Sequence, residues 1–155
     1  MPFVIRGLSA EHFRPLLALD DEALAARNIR RVVADAAHGY PCRVSLQDAA
    51  VGERLLLLPY LHHDVAGPYR ASGPIYIREL AAAPALFRDE LPPSFPRRLL
   101  SLRAYDGEGW MREADVAEGQ AARPIIERML ADAGVAYLHI HNARPGCYAC
   151  RVDRD

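Results

Sequence analysis

Hydrophobic and polar positions alternate most clearly near the end of the chain. Val135-Ala136-Tyr137-Leu138-His139-Ile140-His141-Asn142 is rich in β-forming residues, and Cys147-Tyr148-Ala149-Cys150-Arg151-Val152 makes a second, shorter run. Ala143-Arg144-Pro145-Gly146 breaks the pattern between them, which predicts a C-terminal β-hairpin. Side chains two apart on a strand share a face, so Tyr137, His139 and His141 point the same way. Burial suggests a register. A five-residue loop, Asn142 to Gly146, puts His141 opposite Cys147 and His139 opposite Ala149. Ile140 then meets Tyr148, Leu138 meets Cys150 and Ala136 meets Val152, an almost wholly apolar face. A four-residue loop brings Arg151 onto that face instead. A one-residue slip reverses every side chain, so burial favours the longer loop. In that register Cys147 joins His139 and His141, and Cys150 enters the core. Being on opposite faces, Cys147 and Cys150 neither bond to each other nor share an ion.

Upstream, the periodicity is mixed, without a steady strand–helix–strand rhythm. Phe3 to Arg6 reads as an opening strand. Ser9 can cap a short helix to Leu19, bent or ended by Pro15. Asp20 or Asp21 can cap a second, Ala-rich turn to Asn28. Arg30 to Asp35 reads as a strand. Ser45 and Asp48 resemble a capping box, so one helical turn is expected there, closed at Gly52. Arg54 to Leu61 and Gly73 to Glu79 are strand-like, and the proline-rich stretch from Ala83 to Pro96 is expected to be irregular. Asp106-Gly107-Glu108-Gly109, between Leu99–Tyr105 and Trp110–Val116, signals a hairpin. Ile125, Ile126, Met129 and Leu130 form a helical stripe, with Pro124 in the first turn and Gly134 past the end. A helix over 124–132 should pack that stripe against Leu138 and Ile140. With no internal repeat and no linker, the expected fold is α+β. Residues 1–155 form a single domain, a mainly antiparallel sheet with one substantial helix and short helices packed on a face. Such a sheet can leave its other face to a ligand.

Composition narrows the chemistry. A chain of 155 residues is long enough for one domain that buries roughly two-thirds of its unfolded surface. Its formal net charge of −1 argues against nucleic acid as a partner. All 19 residues counted as Lys or Arg are Arg, and Lys and Thr are absent. This excludes a Schiff-base lysine, pyridoxal phosphate attachment and a phosphate-loop lysine. No glycine spacing matches a dinucleotide fingerprint, and there is no Gly-x-Ser-x-Gly elbow. The start, Met1-Pro2-Phe3-Val4-Ile5-Arg6, lacks the features of a signal peptide, and Leu55 to Leu58 is too short to span a bilayer, so no membrane partner is expected. Three cysteines without an export signal read as free thiols in a reducing cytoplasm.

Four stretches carry a family resemblance: Gly39-Tyr40-Pro41-Cys42-Arg43-Val44-Ser45-Leu46, Gly67-Pro68-Tyr69-Arg70-Ala71-Ser72-Gly73-Pro74-Ile75, Leu102-Arg103-Ala104-Tyr105-Asp106 and His141-Asn142-Ala143-Arg144-Pro145-Gly146-Cys147-Tyr148. In this order they resemble a small family of uncharacterised bacterial proteins, domain-of-unknown-function family 1203. The resemblance runs over nearly the whole chain. It implies a single-domain bacterial protein and brings no activity or catalytic residue with it. Cys150 departs from the family pattern, where a small residue is expected.

Four constellations are candidates for chemistry. Cys147-x-x-Cys150 has redox spacing, but on a strand the two thiols face apart. His139 and His141, with Cys147 opposite and a further ligand from His38, Cys42 or the His62–His63 pair, would suit zinc; otherwise no cofactor is expected. Cys42 follows a turn and precedes Arg43, a setting that can lower a thiol pKa, and His139 or His141 could serve as its base. The bland counterpart is a buried small hydrophobe. Finally, Arg43, Arg70, Arg103 and Arg144, with Tyr40, Ser72 and Asn142, could line a pocket for a carboxylate or phosphate. The expectation is a cytoplasmic protein binding a small anionic molecule in a cleft lined by Arg, Tyr, His and Cys. The alternatives are a Cys/His- or metal-dependent enzyme using the same cleft, and a protein-interaction module without catalysis. A homodimer is compatible with either.

Overall fold

Strands form where the chain alternates, and helices where the apolar residues recur every third or fourth position. The computed structural model describes residues 2–155. In chain order the elements are β1 (Phe3–Arg6), α1 (Arg14–Leu17), α2 (Asp21–Ala25), β2 (Arg30–Val33), β3 (Arg54–His63), β4 (Ala71–Arg78), β5 (Leu86–Arg88), β6 (Leu99–Tyr105), β7 (Met111–Glu118), α3 (Ala122–Ala131), β8 (Tyr137–Asn142) and β9 (Tyr148–Arg154). Caps behave as expected from their chemistry. Ser9 caps a short 3-10 turn through Glu11 N–H, and the Asp20 carboxylate accepts from Ala23 N–H at 2.8 Å to start α2. Among the described residues, no helix is long and apolar enough to cross a membrane.

The fold is α+β, and all strand pairings between named strands are antiparallel. The expected single sheet is in fact two. Six strands run in the order β5-β1-β9-β8-β6-β7, and three more in the order β2-β3-β4. Each sheet has its own apolar layer. α3 lays Ile126, Met129 and Leu130 on Leu100, Leu102, Leu138, Ile140, Cys150 and Val152 of the large sheet. The short helical segments put Phe13 and Leu24 on Leu56, Leu58, Ile75 and Ile77 of the small one. Two such layers cannot share one sheet face, so the strands divide between them. α3 begins two residues before the expected start, with Pro124 still in the first turn, where its missing N–H breaks no helical bond.

Three local expectations are corrected. No helix forms between Ser45 and Gly52; Pro41 and Asp48 bridge instead, and Leu46 adopts a positive φ of 54°, a tight non-helical loop. The proline-rich stretch is not wholly irregular, since it contributes edge strand β5 and a 3-10 turn at Phe95–Arg97.

The third correction is the C-terminal hairpin. Asn142 N–H donates to Cys147 C=O at 2.9 Å and Gly146 N–H to Asn142 C=O at 2.8 Å, so the loop is four residues, Ala143 to Gly146. Burial is satisfied another way. His141 pairs with Tyr148, but Ile140 pairs with Cys150 and Leu138 with Val152. Ala149 is therefore an extra residue, a β-bulge that shifts the alternation by one. Cys150 and Val152 return to the core, while Tyr148 joins the histidine face rather than the apolar one. Cys147, opposite Asn142, does not join His139 and His141.

Gly7 ties the two layers together. A Cβ there would lie 1.9 Å from the Val44 carbonyl oxygen, so the close approach requires glycine. Next to it, Leu8 N–H donates to Arg43 C=O and Ala85 N–H to Val44 C=O, both at 2.8 Å. These bonds anchor the segment that carries Arg43.

Candidate functional site

The large sheet is polar on the face away from α3. Strand alternation places Arg103 and Tyr105 of β6 beside His139 and Tyr137 of β8, with Ser101 beside His141. β9 adds Tyr148 and Arg151. β3 of the small sheet lies over this face. Its irregular pairing between Leu61 and His63 makes His62 an extra residue, so the consecutive His62 and His63 both reach the same layer. His62 stacks on Tyr148 at 5.4 Å between ring centroids and sits 5.0 Å from His141; His63 sits 4.9 Å from His139.

These histidines differ in their partners. Both nitrogens of His63 are satisfied, by Tyr69 C=O and by the Tyr137 hydroxyl, each at 2.7 Å. His141 Nδ1 donates to Gly146 C=O at 3.0 Å, which leaves Nε2 as its lone-pair nitrogen, 3.5 Å from Arg103 Nη1. Among the described residues, the Nδ1 atoms of His62 and His139 are buried without any partner. One ring nitrogen from each of His62, His139 and His141 lies within 4.8 Å of the others. Burial pushes the pKa down to about 2 at His139 and about 4 at His141, and lowers it at His62, with the neighbouring histidines and arginines adding to the effect. All three are neutral imidazoles at neutral pH.

Next to this layer is a cavity of about 340 Å³ lined by Arg43, Arg97, Arg98, Asn142, Arg144 and Cys147, among others. Arg43 is 1% exposed. Its Nε donates to Tyr148 C=O at 2.7 Å and its Nη1 to Pro41 C=O, and the Cys147 thiol faces the guanidinium. Among the described residues it has no carboxylate partner, and desolvation lowers its pKa despite the nearby thiol. Arg97 and Arg144 are exposed at the rim and form no ion pair either. Arg98 is held by both oxygens of Asp48. Asn142 is buried and donates towards Cys147 Sγ at 3.5 Å. A second cavity of about 430 Å³ shares Arg43, Tyr76, Pro145 and Cys147 with the first and extends to Ser72 and His62. The four-residue loop of the C-terminal hairpin thus lies between an arginine pocket and a histidine cluster.

Of the residues singled out from sequence, Arg43, Asn142 and Arg144 meet at the first cavity, and Ser72 lines the second. His139, His141 and Arg103 belong to the polar layer. Three others lie elsewhere. The Tyr40 hydroxyl bonds Asp35 at 2.8 Å, and exposed Arg70 pairs with Asp64. Cys42 is packed among Val44, Leu56 and Ile77, its sulfur accepting from Arg78 N–H at 3.3 Å. Cys42 therefore has the surroundings of a buried small hydrophobe. The sequence reading missed Arg97, Arg98 and Tyr148. Arg97 and Arg98 follow a proline-rich stretch with no periodicity to orient them, and Tyr148 was assigned to the wrong face by the unbulged register.

Two antiparallel sheets with a buried histidine–tyrosine layer between them and an arginine pocket at its end define an α+β domain built to hold polar groups inside. The chain belongs to the DUF1203 family, described as a protein of unknown function, whose model matches residues 39–154. The matched span includes every residue named in the pocket and the cluster. No curated protein and no solved structure matches the chain.

Proposed function

We propose that the protein binds a small anionic molecule, a carboxylate or phosphate compound, in the cavity lined by Arg43, Arg97, Asn142 and Arg144. We place it in a reducing cytoplasm, a reading supported by its three unbonded cysteines. One observation carries the proposal: the Arg43 charge is almost fully buried at a cavity wall, with no acid among the described residues to neutralise it. A buried cation costs several kcal/mol unless it is paired, and two backbone carbonyls offset this only in part. An anion in the cavity would complete the pairing, and a guanidinium fork matches carboxylate and phosphate oxygens. Two unpaired arginines at the rim would also favour such a ligand.

The test is a thermal-shift titration with inorganic phosphate and small dicarboxylates. A ligand at about 100 times its dissociation constant adds about 2.7 kcal/mol to stability. Arg97→Ala and Arg144→Ala, both at exposed positions, should weaken the response without unfolding the protein. If no anion raises Tm, or the double variant responds like the parent, the proposal fails.

A second reading is favoured by Cys147, which is half-buried in the same cavity and faces Arg43. The cavity thus sets a thiol next to the proposed anion, a position for a nucleophile. Iodoacetamide should alkylate Cys147 well before the buried Cys42 and Cys150, and inorganic phosphate should slow that reaction. A Cys147 rate unchanged by phosphate would remove this reading.

A further inference from the structure

The polar layer contains a feature that anion binding does not use. Four histidines meet there, and only two of them account for their ring nitrogens by hydrogen bonding within the protein. His63 is doubly bonded, and His141 is oriented by the Gly146 carbonyl. His62 and His139 each bury an Nδ1 with no partner. Leaving a buried polar atom unpaired is costly, and here two rings with centroids 6.3 Å apart each do so.

We propose that His62, His139 and His141 form a binding site for a divalent transition-metal ion of the zinc type, reached through the second cavity, which His62 lines. Three points of geometry support the site. First, one nitrogen from each ring lies within 4.8 Å of the others. Ligands about 2.0–2.1 Å from a tetrahedral ion stand roughly 3.4 Å apart, so small ring rotations close the set. Secondly, the hydrogen bond from His141 Nδ1 to a backbone carbonyl is the outer contact that sets tautomer and orientation in metal-binding histidines. Thirdly, the rings sit between two sheets, with His139 3% exposed and His141 1% exposed, so few other conformations compete.

Ligand chemistry points to the same class of ion. Three imidazoles without a carboxylate suit zinc, copper or nickel rather than calcium or magnesium. Three protein ligands leave a fourth position open. Arg103, Arg43 and Arg151 oppose the site by their charge, and the Arg103 guanidinium also reaches His141 Nε2 at 3.5 Å and is braced by Ser101 at 3.2 Å. The ion must displace that long contact. An arginine at this distance also favours an anionic fourth ligand, such as hydroxide or a carboxylate, over a neutral one.

The experiment uses the whole chain, stripped with EDTA and then titrated with Zn²⁺ and Co²⁺ in equilibrium dialysis with metal analysis. One ion per chain is expected, with visible Co²⁺ absorption bands typical of tetrahedral nitrogen ligation. His62→Ala, at a partly buried position, and His139→Ala should each lower affinity by more than the roughly 10–100-fold that loss of an outer-shell partner costs. His63→Gln and Arg144→Ala should leave metal binding unchanged; the latter separates this site from the anion pocket. Circular dichroism establishes that each variant is folded. If His139→Ala does not fold, His62→Ala decides alone. No stoichiometric uptake, or uptake that survives His62→Ala, overturns the proposal.

Discussion

The two faces of the large sheet are built by the same strands on opposite principles. On one, Leu100, Leu102, Leu138, Ile140, Cys150 and Val152 meet α3, and the thiol there is pushed up to about 12 by burial, an inert group in a dry layer. On the other, Ser101, Arg103, Tyr137, His139 and His141, one position along the same strands, and Tyr148, set there by the Ala149 bulge, form the layer that meets His62 and His63. The first face stabilises the fold by removing apolar area from water. The second buries titratable rings, leaves two nitrogens unpaired, and borders the cavities. One face supplies stability and the other holds polar groups in positions that stability alone would not select.

The sharpest way to break this comparison is to truncate the apolar face. Ile126→Ala should cost about 2–5 kcal/mol in a denaturant titration, since Ile126 of α3 is fully buried against the large sheet. A loss near zero would mean that α3 does not carry the fold.

Acid should act through the other face. His139 and His141 have their folded pKa depressed below the ordinary 6.5, to about 2 and about 4. Below pH 6.5 the unfolded chain therefore binds protons that the metal-free folded protein refuses. Stability is complete above about pH 6.5 and falls as pH drops towards 4, by up to about 1.4 kcal/mol per pH unit for each group. Denaturant midpoints measured in EDTA from pH 7.5 to 4.5 check this, and a flat profile would show that the two histidines take up protons without loss of folding.

His139→Leu is the converse of Ile126→Ala. Exchanging an unsatisfied ring for an aliphatic side chain should change stability by less than about 1.5 kcal/mol, and could raise it. The same substitution should roughly halve the slope of the acid profile, leaving the part due to His141. A cost as large as that of Ile126→Ala would mean that the polar face supports the fold after all. Arg70→Ala should have the smallest effect, within about 1 kcal/mol, because Arg70 is exposed and pairs only with exposed Asp64. It should also leave the anion response intact. A lost response would bring Arg70 back into the site.

Much of the architecture was legible in short-range pattern. The stripe of Ile126, Met129 and Leu130 specified both a helix and the face it buries, and alternation in Tyr137–Asn142 put His139 and His141 on a shared side. The turn residues Asp106 to Gly109 marked the β6–β7 hairpin. The hairpin at the C-terminus was legible only in part. Burial correctly required Cys150 and Val152 inside, but two devices achieve that, a longer loop or a bulge, and alternation cannot tell an inserted residue from a shifted turn. The candidate site suffered most from this. A bulge at Ala149 replaced Cys147 with Tyr148 on the histidine face, and a bulge at His62 brought in a third imidazole.

By itself, then, the sequence determined what depends on neighbours along the chain: the α+β class, the main helix and its buried face, the paired histidines of β8, and the exclusion of every lysine-dependent chemistry. Tertiary structure alone decided that the strands split into two sheets, that Arg43 lies buried beside Cys147 without an acid, and that His62 lies across from His139 and His141. These are contacts between residues up to about a hundred positions apart, as in the bond from Arg43 to Tyr148 C=O. Such contacts arise when separate apolar layers are packed together. Local propensity does not encode that packing, because each segment has the same preferences whichever partner it meets.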